Sequence, residues 1–316
     1  MNIWKIYQLL QNLVELLSFV PRKIVQIFLV FVIAVPLTIA GYDIPASVAV
    51  SKDSSTYRTF TDWCLNKETL QSGTRDIVNE MLRKTATSDC KQASLKVSEI
   101  RWFALSLSDS KNVDITPVKF MTNLTLLALG DQISDISPLK FLTKLEHVSL
   151  HGSLISDLGP LMSSTNLSKL YLSNNQISDL GPLKSLVNLA EIGLNNNQIS
   201  DLSPLMSLSD LYILDLSNNK IVRINPLKSL YLSKLYLNDN QISDIGPLGS
   251  LTYLVELELS NNKISDISPL GSLARLVRVH LDHNQISDIS PLASLTNLFP
   301  QLILHNNQIV DISPLR

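Results

Sequence analysis

The strongest constraint in this chain of 316 residues is a spacing. Residues 167–188 read LSKLYLSNNQISDLGPLKSLVN, in which Leu167, Leu170 and Leu172 set an L-x-x-L-x-L rhythm. The alternation at Leu170 and Leu172 suits a short strand with one buried face. Asn175, Ile177, Asp179, Leu180, Pro182, Leu183 and Leu186 then return the chain across the far side. One such unit cannot bury its own apolar face, so its leucines require copies stacked above and below.

The copies are present. Units start at Trp102, Leu124, Leu145, Leu167, Leu189, Leu211, Leu232, Leu254, Leu276 and Phe299, ten in all and mostly 22 residues apart. The fold class that follows is an α/β repeat solenoid over residues 102–316, not a pair of globular domains. Apolar residues make up 45% of the chain and aromatics 6%, a skew that fits aliphatic stacking. A net charge of −2 gives no basic surface for nucleic acid. The first unit is degenerate: Leu105 and Leu107 keep the strand, while Ser110 replaces the asparagine and Asn112 the isoleucine.

Three recurrent positions explain the unit. Asn175, Asn197, Asn219, Asn240, Asn262, Asn284 and Asn307 follow each strand where the chain bends inward. A buried amide there must be fully bonded, and asparagine can bridge its own turn and the next, forming a ladder. Next come pairs such as Gly181-Pro182, Ser203-Pro204 and Asn225-Pro226, read as an N-cap followed by the first residue of a short 3₁₀ turn. Last is the aspartate two residues before that cap, from Asp114 to Asp311 and replaced once by Arg223. Its carboxylate is expected to accept backbone N–H bonds.

Residues 1–49 are read as a membrane-targeting segment. Residues 24–40, IVQIFLVFVIAVPLTIA, are uncharged and directly follow Arg22 and Lys23. The length lies between a signal-peptide core and a transmembrane helix, so cleavage near Ser47-Val48-Ala49 and a retained anchor both remain open. Either places the repeats outside the cytoplasmic membrane, in the periplasm, the envelope or the medium. Residues 50–101 lack the leucine rhythm and are read as a helical N-terminal cap. Thr74 is its expected N-cap, and Ile77, Val78, Met81 and Leu82 form the apolar stripe. In an oxidising compartment Cys64 and Cys90 are expected to pair across this helix.

The motif L-x-x-L-x-L-x-x-N-x-I-S-D-I-S-P-L-x-x-L, seen in residues 254–273 and 167–186, resembles the internalin-type class of bacterial leucine-rich repeats. The Trp63-Cys64 … Cys90 segment is similar to the caps of exported cyanobacterial leucine-rich repeat proteins. The resemblance implies a curved horseshoe whose concave face is a parallel β-sheet used to bind other proteins. It carries over no binding residue, because those are the variable positions between the leucines.

Two rows of side chains point outward from the strands. The first runs Ala104, Leu126, His147, Lys169, Glu191, Ile213, Lys234, Glu256, Arg278, Gln301, and its charges alternate in sign. The second runs Ser106, Ala128, Ser149, Tyr171, Gly193, Asp215, Tyr236, Glu258, His280, Ile303. Tyr171, Gly193, Asp215, Tyr236, Glu258 and His280 are the expected ligand-binding positions, a shallow dip with aromatic rims. His280, Asp282, His283 and His305 come from adjacent units, but variation at exposed positions accounts for them without a metal, and no cofactor is expected.

The units at Leu124 and Leu211 are each one residue short, where a kink is expected. The chain stops after Leu315-Arg316 without a C-terminal cap, an end open to self-association. With no catalytic triad, phosphate loop or metalloprotease signature in the sequence, the expected function is a non-catalytic, exported protein-binding scaffold. A passive, self-associating envelope protein is the alternative.

Overall fold

The computed structural model describes residues 56–107, 110, 113–298 and 301–315. The targeting segment expected over 1–49 lies outside them. No helix among the described residues is long and apolar enough to cross a membrane.

Three short helices open the described chain: α1 (Phe60–Leu65), α2 (Ser72–Thr85) and α3 (Cys90–Lys96). Helix α1 starts at a capping box in which Thr59 and Asp62 satisfy each other's backbone N–H groups. The Cys64–Cys90 disulfide joins α1 to α3, with the two Cα atoms 5.6 Å apart. Ile77, Val78, Met81 and Leu82 are buried, as the stripe on α2 requires. Thr74 does not cap that helix, whose N-cap is Gln71. Its buried hydroxyl instead accepts the Asp114 N–H at 2.9 Å, tying the helix to the first repeat. Gly73 allows this approach: a Cβ there would lie 2.6 Å from Val113 Cγ2 and 2.7 Å from Ser110 Cβ.

Ten strands follow in one parallel sheet, ordered as in the sequence. They are β1 (Trp102–Leu105), β2 (Leu126–Gly130), β3 (His147–His151), β4 (Lys169–Tyr171), β5 (Glu191–Gly193), β6 (Ile213–Asp215), β7 (Lys234–Tyr236), β8 (Glu256–Glu258), β9 (Arg278–His280) and β10 (Leu302–Ile303). A short 3₁₀ turn, such as Gly181–Ser185, closes each unit opposite its strand. The leucines and isoleucines between the two layers are almost entirely buried and join the cap in one continuous core. At about 1.5–3 kcal/mol per buried aliphatic side chain, that core is the main favourable term.

The first unit starts two residues earlier than the leucine count suggests. Phe103 pairs with Leu127 and Leu105 with Leu129, so Ile100, Phe103 and Leu105 hold the motif positions. Phe103 is fully buried and Trp102 is 58% exposed, its ring covered by the Lys84 ammonium 2.9 Å from the centroid. Trp102 therefore belongs to the first outward row and Ala104 to the second, in place of Ala104 and Ser106.

The asparagine ladder forms. In Asn197, Oδ1 accepts the Ile177 N–H at 3.0 Å, while Nδ2 donates to Leu172 O and Leu194 O, each at 3.0 Å. The pattern recurs from Asn175 to Asn307. Each aspartate accepts as expected, for example Gly181 N–H to Asp179 Oδ1 at 2.7 Å and Ser203 N–H to Asp201 Oδ1 at 2.9 Å. Contrary to the sequence reading, the pre-proline residue is the first residue of the turn and not its N-cap, which is the preceding Leu180 or Leu202 and makes no side-chain cap bond. The aspartate two residues before the pre-proline position supplies the acceptor through an Asx turn, and the Ser203 hydroxyl donates to it at 2.7 Å. At the short unit beginning at Leu211 the turn ends differently: Leu230 has ψ 159°, against 59° at Leu186.

Candidate ligand-binding face

The sheet holds the two outward rows in strict register: Lys169↔Glu191↔Ile213↔Lys234↔Glu256↔Arg278 in one, Tyr171↔Gly193↔Asp215↔Tyr236↔Glu258↔His280 in the other. All six expected binding residues thus lie side by side. The first row satisfies itself. Lys169 Nζ stands 2.7 Å from Glu191, and Glu256 is gripped by Lys234 at 2.9 Å and Arg278 at 3.0 Å.

The tyrosines are drawn into the same network. Tyr171 donates its hydroxyl to Glu191, and Tyr236 donates to Glu256 at 2.7 Å. Sequence alternation could not reveal this, because each phenol reaches diagonally to the other row on the next strand. Tyr212, which belongs to neither row, adds a third donor to Glu191 at 2.6 Å. No periodic signal marks it; only side-chain reach brings it there.

These contacts shift the ionisation of both partners. Burial and the bond to Glu191 push the Tyr171 phenol up to about 12. Burial opposes the charge on Glu191, but hydrogen bonds from Lys169, Tyr171 and Tyr212 prevail and hold its carboxyl at about 2. Glu256 is lowered for the same reasons, against its burial, and the Tyr236 phenol is raised by burial and by Glu256. Both tyrosines therefore stand as neutral donors with fixed rings.

Between them lies Gly193, buried, whose missing side chain leaves room beside the Tyr171 ring; a Cβ would come 3.0 Å from Tyr171 Cδ1. Asp215 sits next in the row. Its Oδ1 accepts the Ser217 N–H at 3.0 Å, and among the described residues no cation pairs with it. Desolvation therefore raises its carboxyl above the usual value, with Glu258 adding to the shift. Glu258 has weaker company: Asn238 Nδ2 at 2.7 Å and His280 Nδ1 at 3.6 Å. Of the four histidine-cluster residues, the structure brings together Asp282, His283 and His305, whereas His280 turns to Glu258.

A family model described as Leucine Rich repeats (2 copies) matches residues 165–205, 187–229 and 232–272. Among curated proteins none matches. An internalin of Listeria monocytogenes, inlF, is 33% identical over 78% of this chain and 75% of its own, with a TM-score of 0.70. Internalin C2 of the same organism is also 33% identical, over 74% of this chain and 93% of its own, with a TM-score of 0.57. A plant peptide hormone receptor, RGFR1, solved in complex with RGF2, shares the fold alone: 21% identity over 67% of this chain and 38% of its own, with a TM-score of 0.55. With the repeat register, the asparagine ladder and these matches in agreement, the chain belongs to the internalin-type leucine-rich repeat proteins.

Proposed function

We propose that the protein is an exported, non-catalytic scaffold that captures another protein on its concave face, with Asp215 as anchor for a basic side chain. The observation that carries this reading is the state of Asp215. Every other acidic residue in the two rows has a cation or a histidine beside it, while Asp215 is desolvated and, among the described residues, has the Ser217 donors and no cation. An unpaired carboxylate between fixed aromatic rims suits a lysine or arginine whose stem lies against the rings. The Cys64–Cys90 disulfide and the Arg22-Lys23 flank of the apolar run support export.

The test is affinity capture from the native envelope with wild-type and Asp215→Asn baits. The expected result is a partner whose retention falls at least tenfold with D215N, with its thermal melt unchanged, and also with Tyr171 and Tyr236 both changed to alanine, a variant whose melt must show it folded at the temperature of capture. Equal retention by all three baits overturns the assignment of this face. Self-assembly of the purified chain without a partner favours the structural alternative.

A further inference from the structure

We propose that Asp282, His283 and His305 form a binding site for a divalent transition-metal ion of the zinc class. The three side chains come from two neighbouring repeats, and their donor atoms all lie within 4.8 Å of one another. Asp282 Oδ2 is central: it stands 2.9 Å from His283 Nδ1 and 3.8 Å from His305 Nδ1. Two donors on a tetrahedral zinc with bonds of about 2.0 Å stand roughly 3.3 Å apart, a value these two distances bracket. The imidazoles meet edge to face with centroids 5.2 Å apart, so small rotations of exposed rings complete the approach.

The repeat architecture shows that the fold does not require these residues. The position of Asp282 and His305 is held elsewhere by Ser173, Asn195, Ser217, Asn238 and Ser260. His283 has φ 56°, in the left-handed region occupied in other units by Asn174, Asn196, Asn218, Asp239, Asn261 and Asn306. Asn and Asp suit that conformation because a short polar side chain bonds locally; among these units His283 alone places an imidazole there. Three departures from the repeat fall on adjacent positions, and all three are metal-ligand types.

The surroundings orient the donors. Ser260 Oγ donates to Asp282 Oδ1 at 2.5 Å, leaving Oδ2 toward the histidines. Asn306 Nδ2 stands 2.7 Å from His283 Nε2, so a turn of that amide presents its oxygen to the Nε2–H and leaves Nδ1 free to ligate. Two imidazoles and one carboxylate suit zinc, copper or nickel better than calcium or magnesium, which prefer all-oxygen sites. Three protein ligands leave a coordination position open to water or to a donor from a bound partner.

The experiment uses the full chain stripped with chelator and titrated with Zn²⁺ by calorimetry at neutral pH, in parallel with His283→Asn and a His283→Asn, His305→Ser double variant. These substitutions restore residue types that other repeats carry at the same positions, so folding is retained, as melts in the absence of metal will verify. Wild type is expected to bind one zinc per chain at micromolar concentration or tighter. H283N should weaken it at least tenfold and the double variant at least thirtyfold, and the zinc-induced rise in melting temperature should be largest for wild type, smaller for H283N and smallest for the double variant. Equal binding by wild type and the double variant, or no stoichiometric binding by wild type, overturns the proposal.

Discussion

At Asn219 one amide bonds four backbone groups: it accepts the Ile199 N–H at 2.9 Å and donates to Leu194 O and Leu216 O, each at 3.0 Å, and to Ser217 O at 3.2 Å. At Ser153, the equivalent position nearer the N-terminus, one hydroxyl stands 3.4 Å from Ile133 N and 3.5 Å from His151 O. The strands around it are longer: β2 and β3 pair over five residues, where β4 to β9 pair over three. Extended backbone pairing there replaces the amide bridge. The N-terminal units also rest on a disulfide-bonded helical cap, whereas the repeats from Leu167 onward rest on one another. A solenoid can thus be held by a repeated internal ladder or by local reinforcement, and the two differ in what breaks them.

The ladder is the place of largest expected effect. Asn219→Ala leaves the buried Ile199 N–H unpaired, at about 1–3 kcal/mol, and removes one of the two amide donors to each of Leu194 O and Leu216 O, at about 0.5–1.5 kcal/mol each, so a loss of roughly 4 kcal/mol is expected in chemical denaturation. Ser153→Ala should cost about 1 kcal/mol or less, because its contacts are long. Equal losses at the two positions would refute the distinction between the regions.

Reduction of Cys64–Cys90 should act on the other region. A cross-link 26 residues apart stabilises by about 3 kcal/mol in the loop-entropy model. Hydrogen exchange after reduction should show protection lost in α1 to α3 and β1 to β3, with the repeats from Leu167 nearly unchanged, since a solenoid couples mainly nearest neighbours. Gly73→Ala should give a smaller version of the same pattern, about 1–3 kcal/mol, as Val113 and Ser110 move to admit a methyl group.

The same division governs what the sequence made legible. In the regular repeats, the spacing of Leu170, Leu172 and Asn175 determines register, burial and hydrogen bonding together, since each copy repeats the same physical requirement. At Trp102 the rhythm fits two registers, Trp102-Leu105-Leu107 and Ile100-Phe103-Leu105, and pairing with β2 together with burial of Phe103 selects the second. Thr74 reads as a helix cap in isolation, and only the docked first repeat shows it to be an acceptor for Asp114. On the concave face, alternation places Tyr171 and Tyr236 correctly in their row. It does not show that their hydroxyls are bound by Glu191 and Glu256, because that depends on side-chain reach across strands.

The smallest expected effect lies on that face, at Glu191. Its carboxyl is held at about 2, below its ordinary value of 4.5, by Lys169, Tyr171 and Tyr212 acting against burial. A group lowered on folding stabilises the native state at pH above its unfolded value, and that contribution is lost as pH falls through the folded one. The stability difference between wild type and Glu191→Gln should therefore be constant above about pH 4.5 and shrink steadily toward pH 2, where the protonated glutamate and the amide are equivalent. Lys169 is partly exposed, so solvent screening limits the difference to about 1 kcal/mol. Denaturation midpoints for the two proteins between pH 7 and pH 2 measure it. A difference that persists undiminished at pH 2 would show that Glu191 acts through packing and not charge, and would move the rigid tyrosine rim from electrostatic to steric control.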